Sequence, residues 1–485
     1  MLRFLSLATL SQVAVAVTQL FMLPLQIHAW GHDVVAIWLV GAASAAILNV
    51  ADLGLRNAGY AALMARDSYF ATVWSVMRTQ IAVLAVAIAA GLVLTHMGKT
   101  GPETWLFLVL LVAASAAENT FYLRGTFMES RGLILTSEIL FLGFALIRLV
   151  LGGLLLLVFH IGPLALAILW CVTSYGVLFL QGRVAAFRDV APLAGGWSFA
   201  EWKRAYGDAK WAASTPLVTW AQMNLPVLAL STFAPAIAVS GYVAIRTLFG
   251  LVRTIFVQFG RLASVAYVKR AVNGHVAEAR GVVLAAASVA GWVGAGVGLA
   301  VFAENFWITG RLFDLAGNER DRLFALALAV SAVLSVHQLF NLSLAREGAF
   351  SVVGRANYAY VAAMIVVCLL AATFTDTMIV AVGLIITDAL LLVMSAWIFV
   401  RGDKRETPVG FRYIFLGSMT AWVLLLLGGW RVFMFVGDEA HARTLLAVFL
   451  ALTAAGVLWL SAGAVFWWRA RGEIRTLTSP AIKPA

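Results

Sequence analysis

The chain has 485 residues, 62% of them hydrophobic and only 12% charged. An ordinary soluble domain is about one-quarter charged, so that class is excluded; long apolar blocks parted by short polar stretches are the pattern of a polytopic helical membrane protein. The formal net charge of +11 is read as topology-determining charge beside a membrane, not as a nucleic-acid surface.

A helix needs about 20 residues to span a bilayer. Apolar blocks of that order fall near 4–27, 34–58, 79–97, 104–123, 136–159, 163–186, 212–233, 237–260, 281–303, 323–345, 356–374, 377–400, 413–435 and 444–468, which predicts fourteen spans and an all-α fold. In the first block Ala14-Val15-Ala16 has the form of a signal-peptidase site, but the apolar run continues to Ile27. We read a retained first span. With the N-terminus in the cytoplasm, 24 of the 34 Lys and Arg residues fall on inside segments and six on outside segments. That bias predicts cytoplasmic termini. The other four, Arg56, Arg148, Arg246 and Arg253, lie within spans. The two cysteines, Cys171 and Cys368, sit in apolar runs and offer neither a disulfide framework nor a metal site.

The longest inside connection, 187–211, carries Pro192, Gly195 and Gly196. Ser198 with Glu201 then has the form of a capping box. Phe199, Trp202 and Tyr206 follow helical spacing opposite Lys203, Arg204 and Asp208, which predicts an amphipathic helix at the membrane surface. The expected organisation is a lobe of six spans (1–190), this linker (191–211), a second six-span lobe (212–402), and two further spans with a tail (403–485). An even number of spans per lobe makes any repeat parallel. Gln19 with Pro24 in span one and Gln222 with Pro226 in span seven are the trace of such a repeat, with chance as the rival account. A proline at these places frees a backbone carbonyl and permits a kink.

Span eight, from Gly241 to Arg261, holds Arg246 near its middle and Arg253 two turns on, with Tyr242 and Gly250 near the same stripe. An arginine at the centre of a span costs about 2.5–3.5 kcal/mol on insertion scales. A cationic stripe at that depth suggests an anionic passenger.

From Trp30 to Tyr60 the sequence reads WGHDVVAIWLVGAASAAILNVADLGLRNAGY, with Gly31 after the first span, Trp38 near the start of the second, and Asp52-Leu53-Gly54-Leu55 closing it. Val239–Arg246, VSGYVAIR, is a second echo at the start of span eight. With the fourteen-span count, these motifs resemble the polysaccharide flippases, the O-antigen and exopolysaccharide exporters of the multidrug/oligosaccharidyl-lipid/polysaccharide exporter superfamily. The resemblance implies two six-helix lobes around a central cavity opening alternately to the two faces, with spans thirteen and fourteen as peripheral additions. It implies a bacterial inner-membrane protein whose passenger is an oligosaccharide linked through pyrophosphate to a polyprenyl lipid. Its implied partners are that lipid-linked saccharide, membrane lipids, and the polysaccharide polymerase and glycosyltransferases of the same pathway. Nucleic acid and a cofactor are not expected, and a monomer is.

The candidate substrate-binding residues are Arg148, Arg246, Arg253 and Tyr242. One reading has the arginines line the cavity and hold phosphate through charge-assisted hydrogen bonds. The other has them pair with Asp388, Glu118 or Glu138, and Arg253 can also snorkel to the interface. The candidate coupling or gating residues are Asp388, Glu118, His337, Asn341, Asp52 and Arg56. Asp52 and Arg56 are four apart and can pair on one face, as a gate or a structural tie. Glu118 is a proton site or a counter-ion, His337 a proton relay or a packing residue, and Asp388 a coupling-ion site or an arginine's partner. The expected function is a non-enzymatic flippase driven by an ion gradient or membrane potential, since the sequence has no P-loop motif. The alternatives are a membrane glycosyltransferase or polymerase, which the short outer loops disfavour, and a multidrug exporter, whose cationic drugs mid-membrane arginines would repel.

Overall fold

The computed structural model describes residues 2–51, 54, 67–96, 100–130, 133–184, 199–250, 319–346 and 350–401, with single positions between 253 and 313. The expected spans at 413–435 and 444–468, and most of the one at 281–303, lie outside them. Among the described residues every regular element is helical, and seven helices are long and apolar enough to cross a membrane. The chain is an all-α polytopic membrane protein.

Helix α1 (Leu2–Ala45) takes in both the first span and most of the second, broken at Gly31. Gly31 has φ 76° and ψ 168°, and a Cβ there would meet nothing within 4 Å. Conformation alone, not crowding, calls for glycine here. A 3-10 turn (Ala46–Val50) follows. Next come α2 (Asp67–His96), α3 (Pro102–Ser130), α4 (Ile134–Phe159) and α5 (Pro163–Gly182). Then follow α6 (Phe199–Ala212), α7 (Ser214–Phe233), α8 (Ala236–Gly250), α9 (Glu319–Leu334) and α10 (His337–Arg346). The last two are α11 (Phe350–Phe374) and α12 (Thr377–Arg401). The expected span at 323–345 is not one continuous helix: a turn at Ser335 and Val336 divides it into α9 and α10. Apolar residues on both sides hide the break from hydropathy. The α11–α12 junction closes as a Schellman motif, with Thr375 at φ 51° and the Asp376 N–H donating to Ala371 O (3.2 Å). The Asp376 carboxylate then accepts the Met378 N–H (2.9 Å) at the start of α12.

The chain forms two compact units, Met1–Thr247 with Asn357–Val380, and Leu248–Ala356 with Ala381–Ala485. In the first, Trp38 is buried in a core with Met22, Leu48, Phe107, Leu111 and Leu166. Its ring lies 5.1 Å from Trp170, 5.4 Å from Trp30 and 5.8 Å from Phe107. Trp38, one of the residues carrying the resemblance, is therefore a core residue. The opposite faces of α4 and α5 expose Ile147, Leu151, Leu154, Val172 and Phe179. Helices apolar on both faces suit a hydrocarbon surround, where every backbone polar group must be met within the segment.

Helix α6 runs through the stretch read as helical from its spacing. Ala209 and Tyr206 pack against Ala51, Met77, Ile81 and Leu123, while Lys203 and Lys210 are exposed. Gly54, the glycine of the Asp-Leu-Gly-Leu stretch, adopts φ 77° against the α6–α7 junction. A Cβ on it would clash with Ala209 O and Ala213 N. Both conformation and space demand glycine there. From α11, Tyr358 donates its hydroxyl to Lys210 O, and Asn357, fully buried, donates to Ser214 Oγ (3.0 Å).

Candidate functional site

A mid-helix polar centre lies within the first unit. Arg148, on the inward face of α4, places Nη2 2.5 Å from Glu118 Oε1 of α3. The same nitrogen donates to Ser174 Oγ (2.7 Å) and Trp170 O (3.2 Å) of α5, and Nε donates to Thr173 Oγ1 (3.4 Å). Ser174 Oγ lies 3.3 Å from Glu118 Oε1 and 2.7 Å from Trp170 O, so one hydroxyl bridges both members of the pair to α5. The guanidinium is flanked by the Phe144 ring (4.1 Å to the centroid) and the Trp170 ring (4.7 Å). An ion pair with added hydrogen bonds and aromatic faces is what makes a charge tolerable at this depth. Side-chain exposures of 11% for Arg148 and 22% for Glu118 leave the centre short of sealed.

Arg246, in α8, donates from Nη1 to the Met223 carbonyl of α7. Pro226 has no N–H to offer Gln222 O, and Met223 O is the next carbonyl along. The acceptor for this cationic side chain thus lies in the turn just before Pro226, a partner for Arg246 that spacing alone did not reveal. Tyr242, one turn before Arg246, is buried. At the other end of the same motif Ser240 Oγ meets His32 Nδ1 at 2.7 Å, so the VSGYVAIR stretch touches the turn marked by Gly31.

The second unit holds a related centre. Arg253 Nη2 donates to Ser331 Oγ of α9 (3.3 Å), and Ser331 in turn donates to Asp388 Oδ2 of α12. Asp388 is fully buried and Arg253 nearly so. His337 and Asn341, one turn apart on α10, are buried as well. Both imidazole nitrogens of His337 lack a hydrogen-bond partner among the described residues. Asp52 and Arg56 lie outside the described residues. The structure therefore joins Arg148 with Glu118 and Arg253 with Asp388. Ser174, Thr173 and Ser331, which complete those joins, were not singled out from sequence. Their only sequence signal is a hydroxyl in mid-span. Among the described residues no group of three or more His, Cys, Asp and Glu side chains could hold a metal ion.

No protein-family model and no curated protein matches the chain in sequence. Solved structures do match it in fold. It superposes on the eukaryotic MATE transporter AtDTX14 with a TM-score of 0.58 at 18% identity, over 82% of this chain and 95% of that one. The MATE multidrug transporter DinF-BH, solved as a ligand complex, gives 0.57 at 14% identity over 83% and 95%. The lipid II flippase MurJ, in an inward closed conformation, gives 0.56 at 13% identity over 96% and 99%. At these identities the likeness is one of fold.

Proposed function

We propose that this protein is a membrane transporter that flips a polyprenyl-pyrophosphate-linked oligosaccharide from the cytoplasmic to the outer leaflet of a bacterial inner membrane, for surface polysaccharide synthesis. The observation that carries the reading is the reach of the fold likeness. The two MATE transporters align with 82–83% of the chain, whereas the lipid II flippase aligns with 96% of it. The mid-helix arginines support an anionic rather than a cationic passenger. In this reading Arg148, Arg246 and Arg253 serve the pyrophosphate, Tyr242 lines the same path, and the two lobes alternate access. Glu118, Asp388, His337 and Asn341 couple the cycle to an ion gradient, with Asp52 and Arg56 at a gate. Multidrug export is the second reading, favoured by the TM-scores of the MATE transporters, 0.58 and 0.57 beside 0.56 for the flippase, and by carboxylates at Glu118 and Asp388.

The test is complementation in a strain lacking the native gene. Arg246→Ala is expected to cut surface polysaccharide by about tenfold or more, the worth of one or two hydrogen bonds to a charged group. Arg246→Lys, which keeps charge without the planar fork, falls between. Wild-type polysaccharide from Arg246→Ala would remove that residue's role. Unchanged polysaccharide on deleting the gene, with raised sensitivity to cationic dyes, would replace the flippase reading with drug export.

A further inference from the structure

We infer that Glu118 is an internal competitor of the substrate's phosphate for Arg148, and that uptake of a proton by Glu118 hands the guanidinium over to the substrate. The inference rests on the flippase reading. Three observations carry it. First, the pair joins the middles of three helices, with Glu118, Arg148 and Ser174 each near the midpoint of α3, α4 and α5. Second, Nη2, which would bind an anion, already touches a carboxylate oxygen at 2.5 Å and a serine hydroxyl at 2.7 Å. A phosphate oxygen offers the same acceptor chemistry as Glu118 Oε1 and would need that position. Third, the carboxylate is the more exposed member, at 22% against 11%, so it is the member with room to withdraw.

The surroundings isolate this charge. On α3 its titratable neighbours are Tyr122, one turn on, and Arg124, whose guanidinium is tied to Leu178 O (2.9 Å). From α4 come Arg148 itself and Glu138, ten residues before it. From α5 come Cys171 and Tyr175, on either side of Ser174. The stretches 10–27 of α1 and 79–95 of α2, whose helices also pack on α3, contain no titratable side chain. Arg148 is thus the charge in contact with Glu118 among the described residues. When Glu118 is neutral, Ser174, Thr173 and Trp170 O still hold the guanidinium in place, while its ionic partner is gone. Proton and passenger are then linked at one side chain, which is a coupling device.

The test uses the purified full chain in detergent, with inorganic pyrophosphate and a short-chain polyprenyl pyrophosphate as probes, between about pH 4 and about pH 8. Falling pH reduces the probe's own charge, which weakens binding, so the quantity to read is the ratio of wild-type to Glu118→Gln affinity at each pH. Glu118→Gln is expected to bind about tenfold tighter than wild type at the alkaline end, converging with it at the acid end. Ser174→Ala removes one hydrogen bond from each member of the pair but keeps both charges. It is expected to change affinity by no more than about threefold and to keep the wild-type pH dependence, which guards against a Glu118→Gln chain that does not fold. Arg148→Gln should abolish the difference. A ratio that stays flat with pH, or a Glu118→Gln chain that binds no tighter, overturns the inference and leaves the flippase reading standing. Failure of wild type, Glu118→Gln and Ser174→Ala alike to bind either probe overturns both.

Discussion

Each compact unit has an arginine, a serine and a carboxylate at its polar centre, but they are wired differently. In the first unit Arg148 touches Glu118 directly, and Ser174 bridges the two from the side. In the second the serine stands in line: Arg253 bonds Ser331, and Ser331 bonds Asp388. A direct pair with a bridging hydroxyl keeps its ionic contact when the hydroxyl is lost; a serine placed in line takes its own link with it. The first centre also keeps some exposure, whereas Asp388 keeps none. The first centre thus has room for an exchange of partners, whereas at the second any exchange takes place out of contact with solvent.

The contrast can be broken in three ways, taken from the largest effect to the smallest. Arg148→Ala strands Glu118 in mid-span and is expected to cost about 3–5 kcal/mol, read by thermal unfolding in detergent. A cost below about 1 kcal/mol would mean that the pair is not the fastening of the first unit. Ser331→Ala is expected to cost about 2 kcal/mol, against about 1 kcal/mol for Ser174→Ala, because Ser331 bonds a fully buried carboxylate and Ser174 a partly exposed one. Equal costs would erase the distinction between serial and bridged wiring. The smallest change in stability comes from replacing the whole first pair: Arg148→Met with Glu118→Leu is expected to fold within about 1 kcal/mol of wild type. That chain should nevertheless fail to restore surface polysaccharide. If it does restore it, the pair is a structural tie and nothing more.

Much of this was legible in the sequence, and the limits have physical causes. Span positions follow from hydropathy, so the helices from Pro102 to Gly182 and from Phe350 to Arg401 lie close to their expected bounds. The break before His337 did not show, because apolar residues flank it on both sides. Arg148 was conspicuous as a mid-span charge, yet three carboxylates could have met it. Choosing among them takes the relative rotation of helices thirty residues apart, which no local pattern records. Ser174 and Ser331 were invisible for a related reason: a serine in a membrane helix usually bonds its own backbone. Only the neighbour across the helix interface makes it part of a centre. Trp38 carried the family resemblance, but its burial against Trp170 and Phe107 had no signal in sequence.

Gly54 has a mechanical consequence. Its backbone lies against Ala209–Ala213 with no side chain between them, and Tyr358 and Asn357 clasp the same short segment from α11. A contact between side chains can absorb a displacement by changing rotamer; one between backbones has no such slack. The chain leaving the second span, the end of α6, the entry to α7 and the start of α11 therefore meet at a stiff joint. Any rocking of this unit must carry all four together or pull the joint apart.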